Sequence, residues 1–414
     1  MKILIVSTYD IAGGAARAAY RLHQGLTGIG VDSSMLVQKK YGYESTVIGP
    51  ETRRQKCIAL IRFFLDPIPL RIFKNRRKTL FSPAWVPFSN IADKINSLNP
   101  DIVHLHWIAS GMIRIEDLQR IKGPIVWSLH DMWAFTGGCH YDSLCEKYKS
   151  KCGSCPVLNS KHTIDISFRL FKRKLKIYNN IKDMTVVGLS RWITNCAKKS
   201  MLLKSKVIVN LPNPIDTKTF KPLDKKNARE MLNLPLQRKL ILFGAMHAVS
   251  DPNKGFNELH KAIGKLSLSN KDLVIFGSGK PSEPIDFGFP VHYLGYFQDD
   301  IALRVLYSAV DVTVVPSLLE NLSNVVMESL ACGTPVVAFN VGGNPDLIVH
   351  KQNGYLARPF ETSDIAKGIE WVINHSEPEL LANNARKKVL DCFEMEKVAK
   401  RYKKLYEEII DNMI

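Results

Sequence analysis

A chain of 414 residues with 45% hydrophobic and 23% charged side chains is too long for one ordinary core, so two domains are expected. That composition excludes a disordered tail, a collagen-like rod and a small disulfide scaffold. The formal net charge is +18 and it is lopsided: residues 1–200 hold 31 Lys and Arg against 14 Asp and Glu, and the remainder hold 26 against 25.

At the start, Lys2 and four apolar residues run straight into polar Ser7-Thr8-Tyr9-Asp10. That is too short for an export signal, and no uncharged apolar run approaches the ~20 residues of a bilayer span. The expectation is a cytoplasmic protein whose eight cysteines are thiols or metal ligands and not bridges. Strand candidates in the first half are Lys2 to Ser7, Val31 to Val37, Ile102 to His106, Ile125 to Leu129 and Thr185 to Leu189. They alternate with helical patterns, the signature of βαβ units and a parallel sheet.

The first strand leads into Ile11-Ala12-Gly13-Gly14-Ala15-Ala16-Arg17, and Ala18, Leu22, Leu26 and Ile29 continue at helical spacing. Glycines here let the backbone approach a phosphate or sugar at a helix N-terminus; a tight packing turn is the other reading. Neither a Gly-x-Gly-x-x-Gly fingerprint nor a P-loop lysine is present. From Glu51 to Phe81 nine Lys and Arg oppose only Glu51 and Asp66, interleaved with residues such as Ile58, Leu60, Ile61, Phe63 and Phe64. This stretch suits an anionic lipid surface or nucleic acid, or a solvated face over a core helix.

Cys139, Cys145, Cys152 and Cys155 then fall within 17 residues, in a loop spanning 133–158 with no helix or strand expected. Four thiols so close suit a closed structural zinc site, with reduced unliganded thiols as the alternative. Cys57, Cys196, Cys332 and Cys392 are scattered, as packing residues are.

Leu211-Pro212-Asn213-Pro214 forbids continuous helix or central strand. The expected division is therefore 1–210, 211–393 and a terminal amphipathic helix in 394–414 that packs back on the first domain. Strand candidates resume at Leu240 to Gly244, Leu273 to Gly277, Val291 to Leu294, Val312 to Val315 and Val336 to Phe339. Lys254-Gly255 follows the first of these, where a cation could stabilise charge developing on a departing diphosphate, although a lone Lys-Gly is no signature by itself. After the strand at Val315 comes Pro316 to Asn324, then Val325 to Ala331, closed by Cys332-Gly333-Thr334-Pro335. Ser323 or Asn324 caps the helix, Glu320 lies in the loop, and Glu328 lies on the helix, where it faces either ribose hydroxyls or solvent. Asp-x-Asp is absent, which predicts no carboxylate-held catalytic metal.

Taken together, Gly13 to Arg17, Asp101 to Trp107, Ser128 to Trp133, Asn213 to Asp216, Lys254-Gly255 and Glu320 to Glu328 leading into Gly333-Thr334-Pro335 resemble the family 4 retaining glycosyltransferases, in their bacterial polysaccharide branch. The resemblance covers essentially the whole chain and implies a GT-B fold: two Rossmann-like doubly wound parallel-sheet domains facing across a cleft. It further implies that Glu320 and the backbone of Leu322, Ser323, Asn324 and Val325 hold the donor sugar and diphosphate, and that Glu328 takes the ribose. Lys254 is implied to face the phosphates, and His130 with the Gly13-Gly14 loop to serve donor and acceptor from the first domain. Two departures stand out. Met246, beside His247, replaces an arginine usual in the family, and Asn344-Pro345-Asp346 stands where a glutamate is common.

The sequence thus points to a hexosyltransferase moving sugar from a nucleoside diphosphate to a polysaccharide or lipid-linked acceptor for capsule, O-antigen or exopolysaccharide synthesis. It would sit peripherally on the anionic inner face of the cell membrane, with a structural zinc and no nucleic-acid partner. A nucleotide-sugar epimerase of the same fold is one rival. The other, a zinc-containing nucleic-acid-binding protein, leaves Glu320 to Glu328 unexplained and lacks a recognition helix.

Overall fold

The computed structural model describes residues 1–87, 89–244, 249, 251–279, 285–297 and 299–412. They form two compact units, Met1–Asn213 with Val398–Ile414 and Pro214–Lys397. Met246 and His247 lie outside the described residues.

In the first unit β1 (Lys2–Tyr9), β2 (Asp32–Lys39), β3 (Val47–Ile48), β4 (Ile102–Leu105), β5 (Ile125–Leu129), β6 (Met184–Gly188) and β7 (Val207–Asn210) form one sheet. Its order is β3-β2-β1-β4-β5-β6-β7, with every pair parallel. Strands β4 and β5 are buried along their whole length, as helices on both faces require of a parallel sheet. Polar residues inside them are paired: His104 Nε2 lies 2.9 Å from Ser128 Oγ, and His104 Nδ1 2.7 Å from Tyr406 Oη. Tyr406 belongs to the terminal helix Met395–Asp411, whose Val398, Tyr402, Leu405 and Tyr406 are buried. An amphipathic face drives that docking.

The second unit contains β8 (Lys239–Gly244), β9 (Lys271–Phe276), β10 (Val291–Tyr293), β11 (Val312–Val315), β12 (Val336–Phe339) and β13 (Gly354–Ala357). Their order is β10-β9-β8-β11-β12-β13, again all parallel. Arg386 bonds the carbonyls of Thr217 and Ala331, both at 2.8 Å, and that of Phe220. This guanidinium fastens the proline-containing entry segment to the helix Asn324–Ala331. Both units are therefore doubly wound parallel sheets of the Rossmann type, as expected.

The basic stretch departs from a solvated face over a core helix. Residues Arg53–Leu65 are helical, but the one buried residue of that helix is Arg62, while Ile58, Leu60, Ile61, Phe63 and Phe64 face outward. Cys57 on this helix is exposed, so it is not the packing residue its scattered position suggested. Among the described residues no helix is long and apolar enough to cross a membrane.

Candidate functional site

Both sheets change direction of winding once, between β1 and β4 and between β8 and β11. There the loops leaving the carboxyl ends of adjacent strands diverge and open a crevice. Gly13 and Gly14 follow β1, Lys254 lies beyond β8 and Glu320 beyond β11. His130 follows β5 directly.

In the second unit two glycines hold the Glu320 loop. Gly255 has φ +75°, and a Cβ there would come within 1.9 Å of Pro316 O; Gly342 has φ +54°, and its Cβ would come within 1.7 Å of Glu320 O. Hydrogen bonds complete the clamp: Leu318 N donates to Asn253 O at 2.8 Å and Gly343 N to Glu320 O at 3.1 Å. The result is a Lys254 Nζ to Glu320 Oε2 ion pair of 3.1 Å. Glu320 lifts the Lys254 ammonium above its ordinary value against the opposing effect of burial, so the cation persists at neutral pH.

Lys254 and Glu320 share a small pocket with Gly244, Pro316, Ser323 and Val325. Ser323 is the N-cap of Asn324–Ala331, its side chain accepting from Val326 N at 3.4 Å. No acidic residue occupies the first turn, so the positive end of the helix is not offset there, and an anion is favoured beside it. Glu328, one turn on, is 3% exposed and its Oε2 accepts from Tyr307 Oη at 3.0 Å. The solvent-facing alternative for Glu328 is thereby corrected: the helix turns it into the unit, where a carboxylate needs donors. Leu322 is buried, and being apolar it offers a polar ligand only its main chain. Asn344 is also buried, its Nδ2 donating to Phe339 O at 2.9 Å. The departure at Asn344 therefore supports the end of β12.

In the first unit Gly13 takes φ +95° and precedes the helix Gly14–Gly28, which has no side-chain N-cap. A Cβ on Gly13 would meet nothing within 4 Å, so its conformation, and not crowding by a neighbour, calls for glycine. His130 Nε2 lies 2.8 Å from His106 Nδ1. Burial pushes His130 down to about 4, His104 to about 3, and His106 well below its ordinary value. All three rings are uncharged at neutral pH, so His130 acts there as a hydrogen-bonding group and not as a cation. Beside it Asp131 accepts from His140 Nδ1 at 2.6 Å, Trp133 N at 2.8 Å and Trp107 Nε1 at 3.0 Å. Burial raises the Asp131 carboxyl, but His140 and these donors outweigh it and hold it below the usual range.

Four polar groups around these sites received no role from sequence reasoning: His106, Asp131, His140 and Tyr307. A signal existed for the first. His106 and His130 follow neighbouring strands in register, Leu105 opposite Trp127, so both emerge at one sheet edge.

Cys139, Cys152 and Cys155 are buried and Cys145 partly so. Burial raises all four thiols, Cys152 to about 12, and each lies within electrostatic reach of the other three. Among the described residues, however, no three His, Cys, Asp or Glu side chains stand where they could hold one metal ion. Cys139 and Cys155 pack with Leu70, Phe81, Val157 and Leu158. The loop is not wholly irregular either: Lys147–Lys149 form a 3-10 turn, and Lys147 Nζ bonds the carbonyls of Gly153 and Ser154 at 2.7 and 2.8 Å.

Residues 237–375 match the family described as Glycosyl transferases group 1. An uncharacterized glycosyltransferase of Methanocaldococcus jannaschii is 27% identical over 347 residues, 78% of this chain and 87% of its own. The putative colanic acid biosynthesis glycosyl transferase WcaC of Escherichia coli is 25% identical over 358 residues, 82% of this chain and 83% of its own. Among solved structures, a sucrose-phosphate synthase from Thermosynechococcus elongatus superposes over 100% of both chains with TM-score 0.69 at 20% identity, a likeness of fold, and the fold is GT-B. The chain is a transferase enzyme, a glycosyltransferase, whose residues 237–375 carry the group 1 match.

Proposed function

We propose that this glycosyltransferase belongs to group 1 and is a retaining enzyme of family 4 that moves a sugar from a nucleoside diphosphate to a polysaccharide or lipid-linked oligosaccharide, working peripherally on the inner face of the cell membrane. The observation that carries the reading is the Lys254–Glu320 pair at 3.1 Å beside the Ser323-capped helix N-terminus. A cation and a set of oriented N–H groups suit a diphosphate leaving group, because they stabilise charge that grows in the transition state. Glu320 is assigned to the transferred sugar and Glu328, steadied by Tyr307, to the ribose. His130 and the Gly13-Gly14 loop are assigned to donor and acceptor from the first unit. Catalysis on this reading is mainly positioning and charge stabilisation, with the acceptor hydroxyl attacking the face from which the diphosphate departs.

A polysaccharide acceptor is supported by the Escherichia coli relative, whose name places it in colanic acid synthesis. The membrane location is supported by the charge excess of the first 200 residues. A structural zinc on Cys139, Cys145, Cys152 and Cys155 belongs to the same reading, supported by the four cysteines falling within 17 residues of sequence. The test is a panel of nucleotide sugars screened for thermal stabilisation, followed by transfer to a saccharide acceptor and NMR of the new anomeric centre. Retained configuration is expected. Inversion would remove the family 4 assignment, and free epimerised sugar appearing without an acceptor would replace transfer by epimerisation.

A further inference from the structure

The helix Arg53–Leu65 and the following turn Ile68–Ile72 are built inside out. A surface helix ordinarily buries its apolar stripe and shows its charges to water. Here the inward anchors are polar. Arg62 donates to Gly111 O, Pro87 O and Val86 O at 2.8, 2.6 and 3.2 Å. Asp66, 2% exposed, accepts from Ala84 N at 3.1 Å. These bonds fix the rotation of the helix and leave Ile58, Leu60, Ile61, Phe63 and Phe64 outward. Ile68 and Ile72 continue the strip, Ile72 at 76% exposure and Phe64 at 61%. A contiguous apolar strip of this kind calls for a covering partner.

Charge decides which partner. Arg53, Arg54, Lys56, Arg71, Lys74, Arg77 and Lys78 are exposed around the strip, while Glu51 is the one exposed acid between residues 51 and 81. A groove of about 830 Å³ adjoins the turn, with Ile72, Phe73 and Ile164 on its wall together with Lys74, Lys161 and Arg169. The acid on that wall, Asp165, already accepts from Cys155 N, Phe168 N and Ser167 Oγ. A second copy of the chain paired about a two-fold axis would set these cations against their own equivalents. An anionic bilayer satisfies both features, taking apolar side chains among its acyl chains and cations at its phosphates.

We propose that residues 53–72 are the membrane-seating element, with Ile61, Phe64 and Ile72 entering the acyl region of an anionic leaflet and the Lys74–Lys161–Arg169 groove taking lipid phosphate. The inference deepens the proposed membrane location and rests on it, but its test does not require sugar transfer. Full-length protein is sedimented with vesicles of phosphatidylcholine alone and with about one third phosphatidylglycerol. Wild type is expected to bind the anionic vesicles and not the neutral ones. Because the side chains are exposed, Ile61→Ser with Phe64→Ser should keep the thermal midpoint and nucleotide-sugar stabilisation of the wild type, yet lose vesicle binding at least about tenfold. Reversal of Arg53, Arg54 and Lys78 to Glu should lose it in a salt-dependent manner. Wild-type failure to bind either vesicle, or unchanged binding by the Ser double variant, overturns the proposal. So does a dimer in solution that the double variant dissociates, which would assign the strip to a second copy. Activity toward a soluble saccharide reports separately on the transferase reading.

Discussion

Lys254 Nζ and Glu320 Oε2 lie 3.1 Å apart, although they are 66 residues apart in sequence. The pair exists because the turn after β8 and the loop after β11 are pinned together through Asn253, Gly255 and Gly342. Removing the cation by Lys254→Met should cut kcat by roughly 10²–10³-fold, the scale of losing one electrostatic stabiliser of transition-state charge, with Lys254→Arg retaining part of the activity. Because Glu320 raises the lysine above its ordinary value, the favourable pairing is present below the unfolded pKa of about 10.4 and is lost only as pH rises through the higher folded one. A pH–rate profile should therefore show no alkaline limb due to Lys254 below about pH 10. A limb near pH 8 that vanishes in Lys254→Arg would contradict this.

The two glutamates should separate kinetically. Glu328 is buried against Tyr307, and on the proposed reading it is a fixed acceptor for ribose hydroxyls present in ground and transition states alike. Glu328→Gln should weaken nucleoside diphosphate binding by roughly 1.5–3 kcal/mol, a lost charged hydrogen bond, and Tyr307→Phe by less. Glu320→Gln should not weaken the bare nucleotide's affinity, since it releases Lys254 from its ion pair, while lowering kcat, because positive charge develops on the sugar as its bond opens. Calorimetry with the nucleotide alone and turnover with donor and acceptor decide it. Equal weakening by both substitutions would dissolve the assignment.

Residues 133–158 offer a prediction independent of the donor. Purified full-length protein from zinc-replete medium should carry about one zinc per chain by elemental analysis, since four cysteines within 17 residues supply the donor set of a tetrahedral site. Loading must draw the thiols together and strip their protons, so uptake should release protons and weaken in acid. Cys152→Ser or Cys155→Ser should increase proteolysis between Trp133 and Leu158 while leaving nucleotide-sugar stabilisation intact. Metal-free protein from the same medium would refute the site.

What the sequence revealed and what it concealed have physical causes. Ten strand candidates correspond to ten of the strands, because β-branched runs such as Val312-Thr313-Val314-Val315 announce buried parallel strands. The strands β3, β7 and β13 were not anticipated. Val47–Ile48 has only two residues, Val207–Asn210 lies on a sheet edge with little burial, and Gly354–Ala357 opens on glycine without a β-branched residue. A cap at Ser323 or Asn324 and a helical place for Glu328 were legible because helical spacing is local; that Ser323 is the cap and that Glu328 turns inward come from the structure. Tyr307 was not, since nothing local in a sequence links it to a residue 21 positions away. The outward apolar side of Arg53–Leu65 was equally hidden. Composition showed apolar and basic residues interleaved, but which face is buried depends on Arg62 finding the carbonyls of Val86, Pro87 and Gly111.

The three histidines of the first unit make its stability depend on pH in a defined direction. His104, His106 and His130 are buried, and burial lowers His104 to about 3, His130 to about 4 and His106 well below the ordinary value. For a base with a lowered folded pKa, the unfolded chain binds more protons between the two values, so stability rises with pH there. The contribution is fully present above the unfolded pKa near 6.5 and is lost as pH falls from 6.5 toward 4. Between pH 6.5 and 5, before most carboxylates titrate, each such ring costs up to roughly 2 kcal/mol, at 1.36 kcal/mol per pH unit. The rings also disfavour one another's protonation, so their effects are not additive. Five of the six tryptophans, Trp85, Trp107, Trp127, Trp133 and Trp192, lie in the first unit, so tryptophan fluorescence reports chiefly on its unfolding. The urea midpoint so measured should fall steeply from pH 6.5 to 5. His106→Gln, which keeps a polar side chain beside His130 but cannot titrate, should flatten that slope even if it lowers the midpoint at pH 7.5. An unchanged slope in His106→Gln, or a wild-type midpoint flat across this window, would show that the three rings are not held neutral by burial.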